Sequence, residues 1–234
     1  MAETFTELIA SSARGTLTEQ ALETLQRDIL SGKLKPGARL GVTELAHTYG
    51  IGTTPIREAL SRLLSKNLIV ATERRGFRVR EMSYEDLRDI TLTRFVIERE
   101  GLRLSMKQGD DEWAASIIAS LHRLRLLVRR QQEGESLGGP EFDDLHQQFH
   151  ASLLSACDSP RLMSLADNLY LQAYRYRATM MDSWTDPQQF IAAHEALANA
   201  VTERREAEAI SLLEDHLTTT LRHVYEREKN TKTD

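Results

Sequence analysis

Apolar residues along the first 66 positions recur at helical spacing in three short runs. Thr18 can cap a first helix that sets Ala21, Leu22, Leu25, Ile29 and Leu30 on one side and stops at the C-terminal signal Gly32. After the turn Lys35-Pro36-Gly37, a capping Thr43 starts a second helix that reaches Tyr49, and Gly50-Ile51-Gly52 turns the chain into a third. There Thr53 or Thr54 can cap, and Pro55 falls in the first turn, where a missing N–H costs nothing. Ile56, Leu60, Leu63 and Leu64 keep helical spacing, while Arg57, Ser61, Arg62 and Ser65 fall largely on other faces. The helical pattern then gives way to two β-prone segments, Leu68 to Thr72 and Phe77 to Arg80, joined by the charged turn Glu73-Arg74-Arg75-Gly76.

Beyond Met82-Ser83 only helical patterns remain. Ser83 can cap the next helix, with Glu85 and Asp86 complementing its N-terminal dipole. The predicted segments are 84–107, 110–133, 141–156, 160–182, 187–204 and 206–228, broken at Gly109-Asp110, Gly134 to Pro140, Asp158-Ser159-Pro160 and Ser183 to Pro187. The fold class is therefore mainly α. A winged helix-turn-helix with a small β-hairpin wing spans 14–81, and an antiparallel all-α bundle of about six helices spans 83–230. Such a bundle can enclose one core and one cavity. Residues 1–13 lack periodicity and read as a tail.

Composition sharpens this division. The 234-residue chain has a formal charge of −5, but residues 1–80 hold 12 Lys+Arg against 8 Asp+Glu and residues 81–234 hold 18 against 27. A basic first third joined to an acidic remainder fits a phosphate-facing module attached to a module with another task. A recognition helix in the major groove, with Arg74-Arg75-Gly76 at the tip of a wing against backbone or minor groove, is the corresponding expectation. No secretory signal pattern appears, and no apolar run approaches the roughly 18 residues needed to span a bilayer, so a cytoplasmic protein without a membrane partner is expected. The lone Cys157 reads as a small apolar filler.

The first third resembles the GntR superfamily of bacterial transcription regulators. The resemblance rests on Ile29-Leu30-Ser31-Gly32-Lys33-Leu34, Pro36-Gly37-Ala38-Arg39-Leu40, Glu44-Leu45-Ala46, Thr54-Pro55-Ile56-Arg57-Glu58-Ala59-Leu60 with Leu63, and Arg75-Gly76-Phe77-Arg78-Val79. It implies a winged helix-turn-helix acting as a homodimer on a short palindrome of double-stranded operator DNA. By this resemblance Arg57 contacts a base or phosphate from the recognition helix, and Arg75 with Gly76 forms the wing tip beside Arg74. Arg39, Thr54 and Arg62 join the DNA-facing candidates, and Thr43 and Thr53 sit where family members often carry a DNA-contacting arginine.

In the helical part, His146 and His150 are four apart and share a helix face, a chelating spacing. His194 and His216 each lie about 11 residues from a hairpin turn near Arg205, roughly 16 Å along their helices, and so stand at one level. Four such histidines can make a nitrogen-rich site for a divalent transition ion, most naturally zinc, with nickel or manganese as alternatives. The same spacing also fits core histidines in a body that serves only dimerisation.

Residues 84–228 are similar to the effector domain of the FadR-type branch of GntR regulators. That similarity rests on Phe149-His150, His194-Glu195-Ala196-Leu197 and Asp215-His216-Leu217, and it implies a metal held by these histidines and a carboxylate or histidine four residues before the His of Phe-His. Here that residue is His146, with Asp143 one turn earlier as the alternative fourth ligand. Arg94, in Arg94-Phe95-Val96-Ile97-Glu98, is implied as a bidentate carboxylate clamp, which suits a small carboxylic acid effector. Tyr170, Tyr174, Arg175, Tyr176 and Arg177 lie on a helix that can add polar contacts, although Arg175 and Arg177 also fit a solvated basic face. The run from Asp143 to His150 and Tyr174-Arg175-Tyr176-Arg177 are similar to carbon-starvation-induced, glutarate-responsive regulators of this branch, which implies a dicarboxylate such as glutarate.

The alternative reading is a metal-dependent hydrolase carrying a DNA-targeting module. A zinc protease with the His146–His150 spacing needs Glu after the first histidine as general base, and this chain has Gln147. No nucleophile motif, phosphate-binding glycine loop or dinucleotide fingerprint occurs elsewhere. The sequence therefore points to a regulator, and to a repressor, rather than to an enzyme.

Overall fold

The computed structural model describes residues 15–72, 76–132, 139–178 and 186–231. The chain divides between Met82 and Ser83 into two compact units.

In the first unit, α1 (Leu17–Leu30) has its cap two residues before the one expected at Thr18. Thr16 is the N-cap: its hydroxyl accepts from the Glu19 N–H at 3.2 Å, and the Glu19 carboxylate accepts from the Thr16 N–H at 2.7 Å. Thr18 lies inside the helix, where its hydroxyl donates to Glu58 at 2.8 Å. The strand β1 (Arg39–Leu40) leads into α2 (Val42–Tyr49), which begins from Gly41, and α3 (Thr53–Ser65) begins from Gly52. Neither glycine has a side chain to cap with, so the caps expected at Thr43 and at Thr53 or Thr54 are not formed. All three threonines stand exposed within the first two turns.

The wing has three strands where a hairpin was expected. β2 (Ile69–Thr72) and β3 (Gly76–Val79) pair antiparallel, and β1 adds to the free edge of β3 with Arg39 opposite Arg78 and Leu40 opposite Phe77. A two-residue strand carries no alternation to read, and its pairing is non-local: Val79 N–H donates to the Ala38 carbonyl at 3.0 Å. Leu25, Leu40, Ile56, Leu60, Leu63 and Ile69 close the core beneath the helices and sheet.

The second unit is a bundle of α4 (Tyr84–Gln108), α5 (Asp111–Gln132), α6 (Pro140–Leu154), α7 (Pro160–Ala178), α8 (Pro187–Thr202) and α9 (Glu206–Thr231). Ser83 caps α4 by accepting from the Asp86 N–H at 3.1 Å. Phe142 and Phe149 on α6, Trp113 and Leu124 on α5, and Leu197 and Val201 on α8 anchor its apolar core. The turn between α8 and α9 is held by Arg204, whose guanidinium donates to the carbonyls of Met106 and Gly109, both at 2.6 Å, and lies over the Trp113 ring. This pins the α8–α9 hairpin to the C-terminal end of α4, and so fixes the level at which His194 and His216 meet. Among the described residues, no helix is long and apolar enough to cross a membrane.

Candidate metal centre

Four histidines from three helices converge. His146 and His150 project from one face of α6, His194 comes from α8 and His216 from α9. Their Nε2 atoms form a chain: His194 to His146 is 3.0 Å, His146 to His150 is 3.1 Å, and His150 to His216 is 3.1 Å. Metal–nitrogen bonds of about 2.0–2.1 Å put neighbouring ligand atoms about 3.0 Å apart in an octahedron and about 3.4 Å apart in a tetrahedron. The observed edges are therefore of the length a metal ion would impose. His194 is fully buried, and His146 and His150 nearly so.

The outward nitrogens fix the tautomers. His194 Nδ1 lies 2.7 Å from the Phe190 carbonyl, which can only accept, so the hydrogen sits on Nδ1. His146 Nδ1 lies 2.8 Å from the Tyr170 hydroxyl, which itself donates to Asp143 Oδ1 at 3.1 Å. The Tyr170 oxygen is then left to accept from His146 Nδ1–H. Both neutral rings consequently direct an Nε2 lone pair at the other across 3.0 Å, an arrangement that repels unless a cation lies between them. Protonation is the weaker remedy. Burial pushes His194 down to about 4 and holds His146, His150 and His216 well below the usual histidine range, with the Arg177 and Arg94 guanidiniums and the neighbouring imidazoles acting in the same direction.

Behind His146 runs a polar relay that spacing alone did not reveal. Arg177 donates to Asp143 Oδ1 at 2.8 Å, Asp143 accepts from Tyr170, and Tyr170 accepts from His146. Burial pushes the Asp143 carboxyl up, and the Arg177 guanidinium opposes that shift. Asp143 thus orients the His146 ring through Tyr170, and among the described residues the group of mutually close donor atoms consists of the four histidines. The arginine and the tyrosine lie seven residues apart on α7, two helical turns, which is the signal that could have paired them.

A cavity of about 230 Å³ opens beside the imidazoles. Arg94 and Arg177 line it with all four histidines, and Gln189, Asp215, Thr219, Thr220 and Arg222 complete its polar wall. Arg94 is held by a buried ion pair in which its Nε donates to Glu98 at 2.7 Å, leaving its two terminal nitrogens without a hydrogen bond among the described residues. Tyr174 and Arg175 are not among the lining residues; Tyr174 instead carries Arg177 over its ring at 5.2 Å, and Arg175 is buried. Gln147 donates to Asp167 at 3.4 Å, and no general base follows His146.

On the first unit, Arg39, Thr43, Thr53, Thr54, Arg57 and Arg62 are all exposed. The side chains of Arg57 and Arg62 form no hydrogen bond or ion pair among the described residues. Gly76 opens β3 opposite Thr72. Arg74 and Arg75 lie outside the described residues.

Comparison with known proteins gives this arrangement its class. Residues 17–79 match the model of the bacterial regulatory proteins, gntR family, and residues 89–219 match the FCD domain. The HTH-type transcriptional regulator BphR of Paraburkholderia xenovorans is 34% identical over 202 residues, 86% of this chain and 82% of that protein. The HTH-type transcriptional repressor GlaR of Escherichia coli K12 is 32% identical over 199 residues, 83% of this chain and 90% of its own. The solved structure of E. coli McbR/YncC superposes with a TM-score of 0.73 over 92% of this chain and 99% of that one, at 22% identity, which shows a shared fold.

The chain belongs to the GntR family of bacterial regulators and carries an FCD domain. It is a ligand-responsive DNA-binding transcription regulator with an N-terminal helix-turn-helix for operator DNA and a helical effector-binding domain. The family consists of regulators rather than enzymes, and the histidine cluster is one that could hold a metal ion.

Proposed function

We propose that this regulator is a repressor that binds a short palindromic operator as a homodimer, and that its helical domain senses a small carboxylate beside a divalent metal. The observation that carries this reading is the pair of Nε2 lone pairs directed at each other across 3.0 Å at the edge of an arginine-lined cavity. His146, His150, His194 and His216 hold the metal, zinc in the first instance with nickel or manganese as alternatives, while Asp143 orients His146 through Tyr170. The metal supplies a positive centre for one carboxylate oxygen, and the free terminal nitrogens of Arg94 offer a fork for the pair.

Arg177 and Arg222 add positive charge elsewhere on the wall, and about 230 Å³ is ample for a short dicarboxylate such as glutarate. On the DNA side, Arg57 and Arg62 present from α3 guanidiniums with no hydrogen-bond or ion-pair partner among the described residues. Arg39, Thr43, Thr53, Thr54 and Gly76 complete the proposed DNA-facing set within the described residues. A ligand changes operator affinity to the extent that it binds one conformation of the regulator more tightly than another.

Elemental analysis of protein purified without chelator or affinity metal tests the centre. About one equivalent of a divalent transition metal is expected, with loss of metal and of carboxylate response together in His150→Ala and His194→Ala. Metal-free wild-type protein that still responds to a carboxylate would remove this reading.

A further inference from the structure

The outward nitrogens of the four imidazoles are not treated alike. His194 Nδ1 has the Phe190 carbonyl and His146 Nδ1 has the Tyr170 hydroxyl, but His150 Nδ1 is buried without a hydrogen-bond partner among the described residues. A neutral imidazole that turns its Nε2 lone pair to a cation carries its hydrogen on Nδ1. A buried N–H of that kind needs an acceptor, both to offset lost hydration and to hold the ring in its ligating orientation.

The surroundings supply a particular acceptor at one remove. Glu98, His150 and Tyr170, with Gln147 and Asp167, line a small recess of about 10 Å³, the size that holds one water molecule. Glu98 is 3% exposed and uses Oε1 to hold Arg94 Nε at 2.7 Å, while Oε2 accepts nothing from a described residue. The two residues thus both line a water-sized recess and make no direct bond to each other.

We propose that a single water in this recess accepts from His150 Nδ1–H and donates to Glu98, making Glu98 a positioning residue of the metal centre. The proposal rests on the reading of the four histidines as metal ligands. It gives Glu98 two tasks in one carboxylate: Oε1 sets the Arg94 fork at the cavity wall, and Oε2 sets the basicity and orientation of His150 through the water. Metal binding and anion binding are then coupled through this side chain, with no contact between Glu98 and either ligand.

The test combines crystallography with Co²⁺ as a spectroscopic probe of the full-length protein. A high-resolution crystal structure is expected to place an ordered water within hydrogen-bond distance of both His150 Nδ1 and the Glu98 carboxylate. Glu98→Leu, which removes the acceptor, is expected to weaken Co²⁺ binding in chelator competition by about 10–100-fold and to shift the visible absorption of the bound ion. Glu98→Gln keeps an acceptor oxygen of the same reach and is expected to lose less; it also serves if the leucine variant does not fold. A recess without water, or a Glu98→Leu protein with wild-type affinity and spectrum, would overturn the bridge while leaving the metal centre standing. Wild-type protein that binds neither Co²⁺ nor another divalent ion would instead remove the centre itself, and the positioning role with it.

Discussion

Arg57 stands on the exposed face of α3, one residue beyond the buried Ile56, with no acidic partner to hold its guanidinium among the described residues. An arginine in that state has not spent its charge within the protein, and it is available to a phosphate or to the acceptor edge of a guanine. Arg57→Ala is expected to weaken operator binding by about 1–3 kcal/mol, roughly 5- to 150-fold, with metal and carboxylate binding unchanged. A gel-shift titration at fixed salt measures this, and unaltered operator affinity would take Arg57 out of the interface. In contrast, Arg177 pairs with Asp143, lies over Tyr170 and Tyr174, and is buried, which excludes the solvated basic face that its position on α7 also allowed.

At the scale of elements, most of the bundle was legible because each of its breaks carries a proline, a glycine or a capping residue: Ser83, Gly109, Pro160 and Pro187 all stand at or next to a helix end. The starts of the first three helices were misjudged for one reason. Thr18, Thr43, Thr53 and Thr54 all have capping chemistry, but the extended cap residues are Thr16, Gly41 and Gly52, the helices already run from Leu17, Val42 and Thr53, and a threonine past the cap turns its hydroxyl elsewhere. The histidine set was legible by spacing, whereas the Asp143–Tyr170–Arg177 relay and the His150–Glu98 recess were not. Each joins residues from different helices, whose facing depends on how the helices pack.

Arg204 belongs at this scale too, since it is an exposed residue with φ of +58° that ties the α8–α9 turn to α4. Arg204→Ala is expected to lower the melting temperature by about 3–5 °C. Arg204→Gly loses the same hydrogen bonds but relieves the left-handed backbone, so a smaller loss is expected. Equal melting temperatures for the wild type and both variants would show that the turn holds without the guanidinium.

For the molecule as a whole, four histidines held below their ordinary range make stability depend on pH in a definite direction. The unfolded chain protonates its histidines near 6.5, whereas His194 in the fold does so only at about 4 and the other three well below 6.5. Between these values the unfolded state binds more protons, so chelator-treated protein is most stable above about pH 6.5 and loses stability as pH falls toward 4. Asp143 acts in the opposite sense, because its carboxyl is pushed up by burial, but it is one group against four. Thermal melts from pH 7.5 to 5 check this, and a melting temperature that stays level or rises on acidification would contradict it. Metal-loaded protein should fall more steeply, because acid also displaces the ion.

The central claim is that the arginine-lined cavity beside the four histidines reads a carboxylate through a metal and passes the result to the DNA-binding unit. Its most direct test is a calorimetric titration of mono- and dicarboxylates into metal-loaded and chelator-stripped protein, repeated in the presence of operator DNA. Binding of a short dicarboxylate that needs the metal, and an affinity that operator DNA changes by the same factor by which the ligand changes operator affinity, is the predicted result. Carboxylate binding that is indifferent to chelator, or equal with and without operator, would contradict it.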